Sequence, residues 1–231
     1  MRYIKKSDTE PVDLRTYKKD CRRVSPPLKI NYKDMPKEET REQLAIDQGY
    51  LCAYCMRRIN LDPTDQNCYL HIEHLMPQNQ LTDEEATNFS NFLGVCPGNR
   101  DAVENDEKTC DAYRGSLDNE QQTMHLNPLD AAQMETIYYL RNGEICSSIK
   151  ALGDELSDKL NLNSESTYLK QNRETAYRKL IKALSDRKPQ TEWTKSFLEK
   201  AWQVFCMPNK DGAYKEYVGV YEYWLKRWMR K

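Results

Sequence analysis

Two stretches, Tyr50-Leu51-Cys52-Ala53-Tyr54-Cys55 and Cys68-Tyr69-Leu70-His71-Ile72-Glu73-His74-Leu75-Met76-Pro77-Gln78, decide how this chain reads. The first is a C-x-x-C turn. The second is rich in aromatic and branched residues up to Leu75 and is predicted as a strand that ends before Pro77. A tetrahedral structural zinc takes four soft ligands, so Cys52 and Cys55 need two more. Cys96 and Cys110 are the candidates. Cys96 closes a second short strand predicted at Phe92–Cys96, and Cys110 opens a helix predicted to run from near Thr109 to Gly115. A second C-x-x-C would be the usual partner, but position 99 is Asn, so the fourth ligand has to come across an inserted loop, 97–109.

Working outward, the chain has 231 residues, 39% hydrophobic and 31% charged, which fits one large folded domain or two small ones and excludes a disordered chain. No apolar run of about 18 residues is present, so no membrane span is expected. The first thirty residues are polar and basic with no apolar core, so no signal peptide is expected and the cytoplasm is the default compartment. In a reducing compartment clustered cysteines more often bind metal than form disulfides. The four isolated cysteines, Cys21, Cys68, Cys146 and Cys206, are expected as small buried residues.

The net charge of −1 conceals a strong asymmetry: +5 over residues 1–36, −12 over 73–158 and +7 over 165–231. The ends are suited to face phosphate, and the middle is not unless cations sit in it. Residues 1–36 are predicted as an extended basic segment, because Pro11, Pro26 and Pro27 interrupt a helix there. A helix is predicted from Lys37 to about Gln48, stopped by Gly49. Asn142-Gly143 between Ile137-Tyr138-Tyr139-Leu140 and Ile145-Cys146 predicts a hairpin. From 149 to 231 the spacing is helical, with a boundary expected near residue 150.

The order of residues is more specific than any one motif. After the C-x-x-C come Glu73-His74-x-x-Pro77, then Asn91 five residues before Cys96, then Cys110-Asp111-Ala112-Tyr113-Arg114-Gly115. This ordered set resembles the HNH endonuclease superfamily. The resemblance implies an α+β fold with a ββα-metal, treble-clef-like core, a structural Zn²⁺ and metal-assisted phosphodiester hydrolysis, followed here by a mainly helical C-terminal region. Within it His74 is the candidate base. Glu73, Asp111 and Asn91 are candidate oxygen ligands of a catalytic Mg²⁺ or Mn²⁺, since hard cations take oxygen donors. Glu73 and His74 are neighbours in a strand and should point to opposite faces, so a bulge is expected there. His71 stays open among metal ligand, orienting group and packed histidine, and His125 is expected to be structural.

Met1-Arg2-Tyr3-Ile4-Lys5-Lys6, Cys52-Ala53-Tyr54-Cys55, Ile72–Gln78 and Asn127-Pro128-Leu129-Asp130 are similar to the PtuB-like HNH subunits of Septu-type anti-phage systems. That resemblance implies an effector held by an ABC-type ATPase, PtuA-like, and in some loci a retron reverse transcriptase with its RNA and DNA. Arg114, Lys226, Arg227, Arg230 and Lys231 are candidate contacts to nucleic acid or a partner. Trp224 and Trp228 interleave with the last four, so this helix reads equally as a stacking surface, a docking helix or a core helix with a solvated basic face. The alternative to an enzyme is a zinc module that binds nucleic acid or a partner without catalysis.

Overall fold

The computed structural model describes residues 1–230; Lys231 lies outside the described residues. The chain is α+β, with eight helices and two small antiparallel sheets among the described residues. The basic N-terminal segment is not wholly extended, as the sequence suggested: α1 spans Val12–Arg23. Pro11 occupies the position just before it, where a missing N–H costs nothing, and Pro26 and Pro27 follow its end. The prolines bracket this helix rather than break it. Leu14 and Cys21, two turns apart, carry its buried face.

α2 spans Glu38–Asp47. β1 (His71–His74) pairs with β2 (Phe92–Val95), with Glu73 opposite Leu93 and His74 opposite Phe92. Every residue of β1 has one partner, so the bulge expected at Glu73-His74 is absent. α3 (Cys110–Arg114) follows, then α4 (Ala131–Glu135). The Asn142-Gly143 hairpin joins β3 (Ile137–Tyr139) to β4 (Ile145–Ser147). Four helices complete the chain: α5 (Lys150–Asp158), α6 (Leu169–Ser185), α7 (Lys195–Phe205) and α8 (Val218–Met229).

One buried cluster runs through all of these elements. The C-terminal helices pack directly on the cysteine turn. The Gly219 N–H donates to Met56 Sδ at 3.3 Å, the Tyr217 N–H to the Met56 carbonyl at 3.0 Å, and the Cys110 N–H to the Leu160 carbonyl at 2.9 Å. Gly219 permits this approach, since a Cβ there would meet the Met1 carbonyl oxygen at 2.8 Å and Met56 Sδ at 2.9 Å. Of the isolated cysteines, Cys21 and Cys206 are buried as expected, whereas Cys68 and Cys146 are only half-buried, beside a turn and on the hairpin. No helix among the described residues is long and apolar enough to cross a membrane.

Candidate metal centre and adjoining cleft

Cys52, Cys55, Cys96 and Cys110 converge, fully buried, with all four Sγ atoms within 4.8 Å of one another. The closer pairs are Cys55–Cys96 at 3.6 Å, and Cys52–Cys110 and Cys96–Cys110 at 3.9 Å. A tetrahedron with metal–sulfur bonds of about 2.3 Å has edges of about 3.8 Å, so the four thiols fit a zinc-sized ion and are too far apart for a disulfide. The turn is made by the Cys52 N–H donating to the Arg57 carbonyl at 2.9 Å and the Met56 N–H to the Cys52 carbonyl at 3.1 Å.

The inserted loop is tied at its base. The Thr109 N–H donates to the Gly98 carbonyl at 2.9 Å, and Asn99 Nδ2 to the Glu107 carbonyl at 3.1 Å. Gly98 sits at φ +63°, and a Cβ there would fall 2.2 Å from the Thr109 carbonyl oxygen. Only glycine lets the two ends of the loop meet, and that closure returns Cys110 to Cys96.

A buried arginine adds an electrostatic argument. Arg173 is 1% exposed and bonds the Gly143 carbonyl at 2.6 Å, the Leu162 carbonyl at 2.7 Å and Asn163 Oδ1 at 3.1 Å, with no carboxylate partner among the described residues. Burial lowers its pKa, and its Nη1 has no hydrogen-bond partner among the described residues. A buried cation requires an anion nearby. Four thiolates around a dication would carry two uncompensated negative charges, the sign that this cation lacks among its direct partners.

Beside the cysteines lies an open cleft of about 390 Å³. It is lined by His71, Glu73 and His74 of β1, by Asp111 of α3, and by Tyr32, Lys37, Arg41, Arg100 and Arg114. β1 is paired only by β2, so the cleft can run along its other, open edge. Neighbouring residues therefore both reach the cleft without a bulge.

Glu73 is 7% exposed and heavily bonded. Its Oε1 accepts from the Tyr54 hydroxyl at 3.3 Å and from Arg114, and its Oε2 accepts from the His74 N–H at 3.0 Å. Burial and then the neighbouring Asp111 carboxylate push its pKa well above the usual range, against the pull of Arg114. One lone pair of Oε2 remains unused. Asp111 stands one residue after Cys110 and accepts from Arg100 Nη2 on Oδ2 at 2.7 Å. Both side chains are oxygen donors of the kind that hard cations take.

His74 Nε2 lies 2.9 Å from the Ala86 carbonyl. A carbonyl only accepts, so Nε2 carries the proton and Nδ1 keeps the basic lone pair. Tyr32 and Phe92 pack edge-on to the ring at 4.6 and 5.0 Å and fix its plane. Burial lowers the His74 pKa and keeps the imidazole neutral. His71 lines the cleft half-buried, with Tyr69 edge-on at 5.8 Å and no ring hydrogen bond among the described residues.

Two expected site residues do other work. Asn91 does not line the cleft: its Oδ1 accepts from the Met76 N–H at 2.7 Å and its Nδ2 donates to the Met76 carbonyl at 3.1 Å. Its amide pins the chain leaving β1. Arg114 is 3% exposed, and besides Glu73 it bonds the carbonyls of Gln122 at 2.6 Å, Leu75 at 2.8 Å and His74 at 3.0 Å. It braces the end of β1 from inside the protein. Lys226, Arg227 and Arg230 line a different groove, sharing no residue with this cleft. His125 is structural, its Nδ1 2.9 Å from Glu155.

The sequence reading missed Tyr54, Tyr32, Lys37, Arg41 and Arg100. The spacing of Lys37 and Arg41, one helical turn apart at the start of α2, was the available signal. Arg41 stacks over Tyr69 at 5.1 Å, and its Nε is buried without a partner among the described residues. No family model matches the chain, and no curated protein matches it.

Proposed function

We propose that this chain is a metal-dependent endonuclease that hydrolyses phosphodiester bonds in nucleic acid, built on an HNH-type core. The observation that carries this reading is a single cleft lined by His74, whose Nε2 is held by the Ala86 carbonyl, together with Glu73 and Asp111. Glu73 and Asp111 would hold a Mg²⁺ or Mn²⁺. Such an ion binds a phosphate oxygen and stabilises the leaving oxygen. His74 takes a proton from the attacking water. Lys37, Arg41 and Arg100 carry the positive charge that receives the phosphate, which answers the acidic character of the middle of the chain. Arg114 and Tyr54 keep the Glu73 carboxylate in place.

The cysteine cluster, as a zinc site, supports the same reading, because Cys110 and Asp111 are consecutive and the turn Cys52–Cys55 contains Tyr54. The sequence resemblance to PtuB-like subunits extends the proposal to an anti-phage effector that works with an ABC-type ATPase, with a retron reverse transcriptase as a further partner in some loci.

Cation binding tests the proposal. Titration of Mn²⁺ into the zinc-loaded chain should show a site that Asp111→Asn weakens by at least about tenfold. An unchanged isotherm in Asp111→Asn, with zinc content intact, would leave a zinc module without catalytic machinery as the better account.

A further inference from the structure

A second, larger groove lies between α8, β3 and the first residues of the chain, with a volume of about 1060 Å³. We infer that this groove binds single-stranded nucleic acid, with phosphates on Lys226, Arg227 and Arg230 and bases against Tyr138 and Tyr223. The inference is independent of the reading of the cleft around His74.

The argument begins on α8. Tyr223, Lys226, Arg227 and Arg230 are spaced by three, four and seven residues, which places them on one stripe of the helix. All four line the groove. Trp224 and Trp228, which the sequence suggested as stacking residues, belong to another face. Trp224 is buried and packs on Tyr177 at 4.6 Å, while Trp228 packs on Trp193 at 5.0 Å. The aromatic wall comes from elsewhere: Tyr138 of β3 stands 6.3 Å from Tyr223, both rings half-buried.

The charges are complementary to a polyanion. Glu222 is held by Arg2 at 3.3 Å, which leaves Glu135 as the only other carboxylate lining the groove against three exposed cations on α8. Arg227 donates to the Tyr223 hydroxyl at 2.8 Å, and its guanidinium lies 5.7 Å from the centre of the Trp224 ring. Aromatic faces beside guanidinium groups receive unstacked bases, which a duplex does not present. An acidic peptide would satisfy the cations but leave the tyrosine faces unused.

The test is fluorescence anisotropy with a labelled oligothymidylate of about 15 nucleotides and the full zinc-loaded chain, without added divalent cation. Replacing Lys226, Arg227 and Arg230 together by Ala should weaken binding at least about tenfold and make the salt slope shallower by about 2, near 0.7 per lost phosphate contact. Tyr138→Ala should weaken binding about fivefold or more with the slope unchanged, and Tyr138→Phe should restore it. Equal affinity of the triple variant and the parent would overturn the inference. So would a Tyr138→Ala chain that binds normally while polyglutamate competes as well as the oligonucleotide, which would mark the groove as a dock for an acidic protein. Far-ultraviolet dichroism and zinc content confirm that each variant is folded.

Discussion

The Tyr54 hydroxyl donates to Glu73 Oε1 at 3.3 Å, inside the protein. Tyr54 stands between Cys52 and Cys55, and Glu73 precedes His74. A residue of the cysteine turn is therefore bonded to a carboxylate of the cleft. On the other side, Cys110 is followed by Asp111, and Arg114 of the same short helix grips Glu73. The cysteines and the cleft are therefore joined both through the chain and through side-chain hydrogen bonds.

Tyr54→Phe tests that link with little loss of volume. It removes one buried hydrogen bond, for an expected loss of about 1 kcal/mol in stability. Cleavage and Mn²⁺ affinity should fall more than stability does, because Glu73 loses an orienting donor. Chemical denaturation and Mn²⁺ titration on the same preparation check this.

Removal of the structural metal should unfold the region from 50 to 115. If the four cysteines hold zinc, Cys110→Ser should lose it and the cleft with it, while the C-terminal helices keep part of their dichroism. Zinc content by mass spectrometry and protease sensitivity around the 97–109 loop are the readouts. A zinc-free, protease-resistant Cys110→Ser chain would show that the cysteines are merely buried thiols.

Arg173 should act on the metal through charge. Arg173→Met keeps much of the volume but removes the buried cation. Zinc affinity should drop by about 10- to 100-fold, measured against a chelator of known affinity. Arg173→Lys should recover part of the loss.

Lys6 gives a pH dependence. Its Nζ bonds the carbonyls of Phe89 and Phe92, and burial lowers its pKa from 10.5 to about 7. Between those values the unfolded chain binds more protons than the folded one, so stability from this group rises with pH. Its cost is fully present below about pH 7 and is relieved as pH climbs toward 10.5. The folding stability of the parent should therefore gain on that of Lys6→Met between pH 7 and 10, by denaturant midpoints at each pH.

Much of this arrangement is legible in the sequence because its signals are local. The C-x-x-C turn, the Asn142-Gly143 hairpin and the helix that Gly49 ends each depend on a few adjacent residues. α1 was hidden because proline at the edge of a helix looks the same in sequence as proline inside one. The roles of Asn91 and Arg114 were hidden for a different reason. Either side chain can bind a ligand or a backbone carbonyl, and which it does depends on Met76, His74 and Leu75 being brought to it by the fold. The missing bulge is a third case: strand alternation forbids two neighbours on one face, but not two neighbours around one open edge.

The most direct measurement is cleavage by the purified, zinc-loaded chain of labelled single- and double-stranded DNA and RNA with Mg²⁺ or Mn²⁺, with and without the proposed ABC-type ATPase, beside His74→Ala. At least one substrate should be cut by the parent, and His74→Ala should cut it at least about 100-fold more slowly while keeping its zinc and its fold. Cleavage by His74→Ala at the parental rate, or intact substrates under every condition, would contradict the assignment of this cleft as a nuclease site.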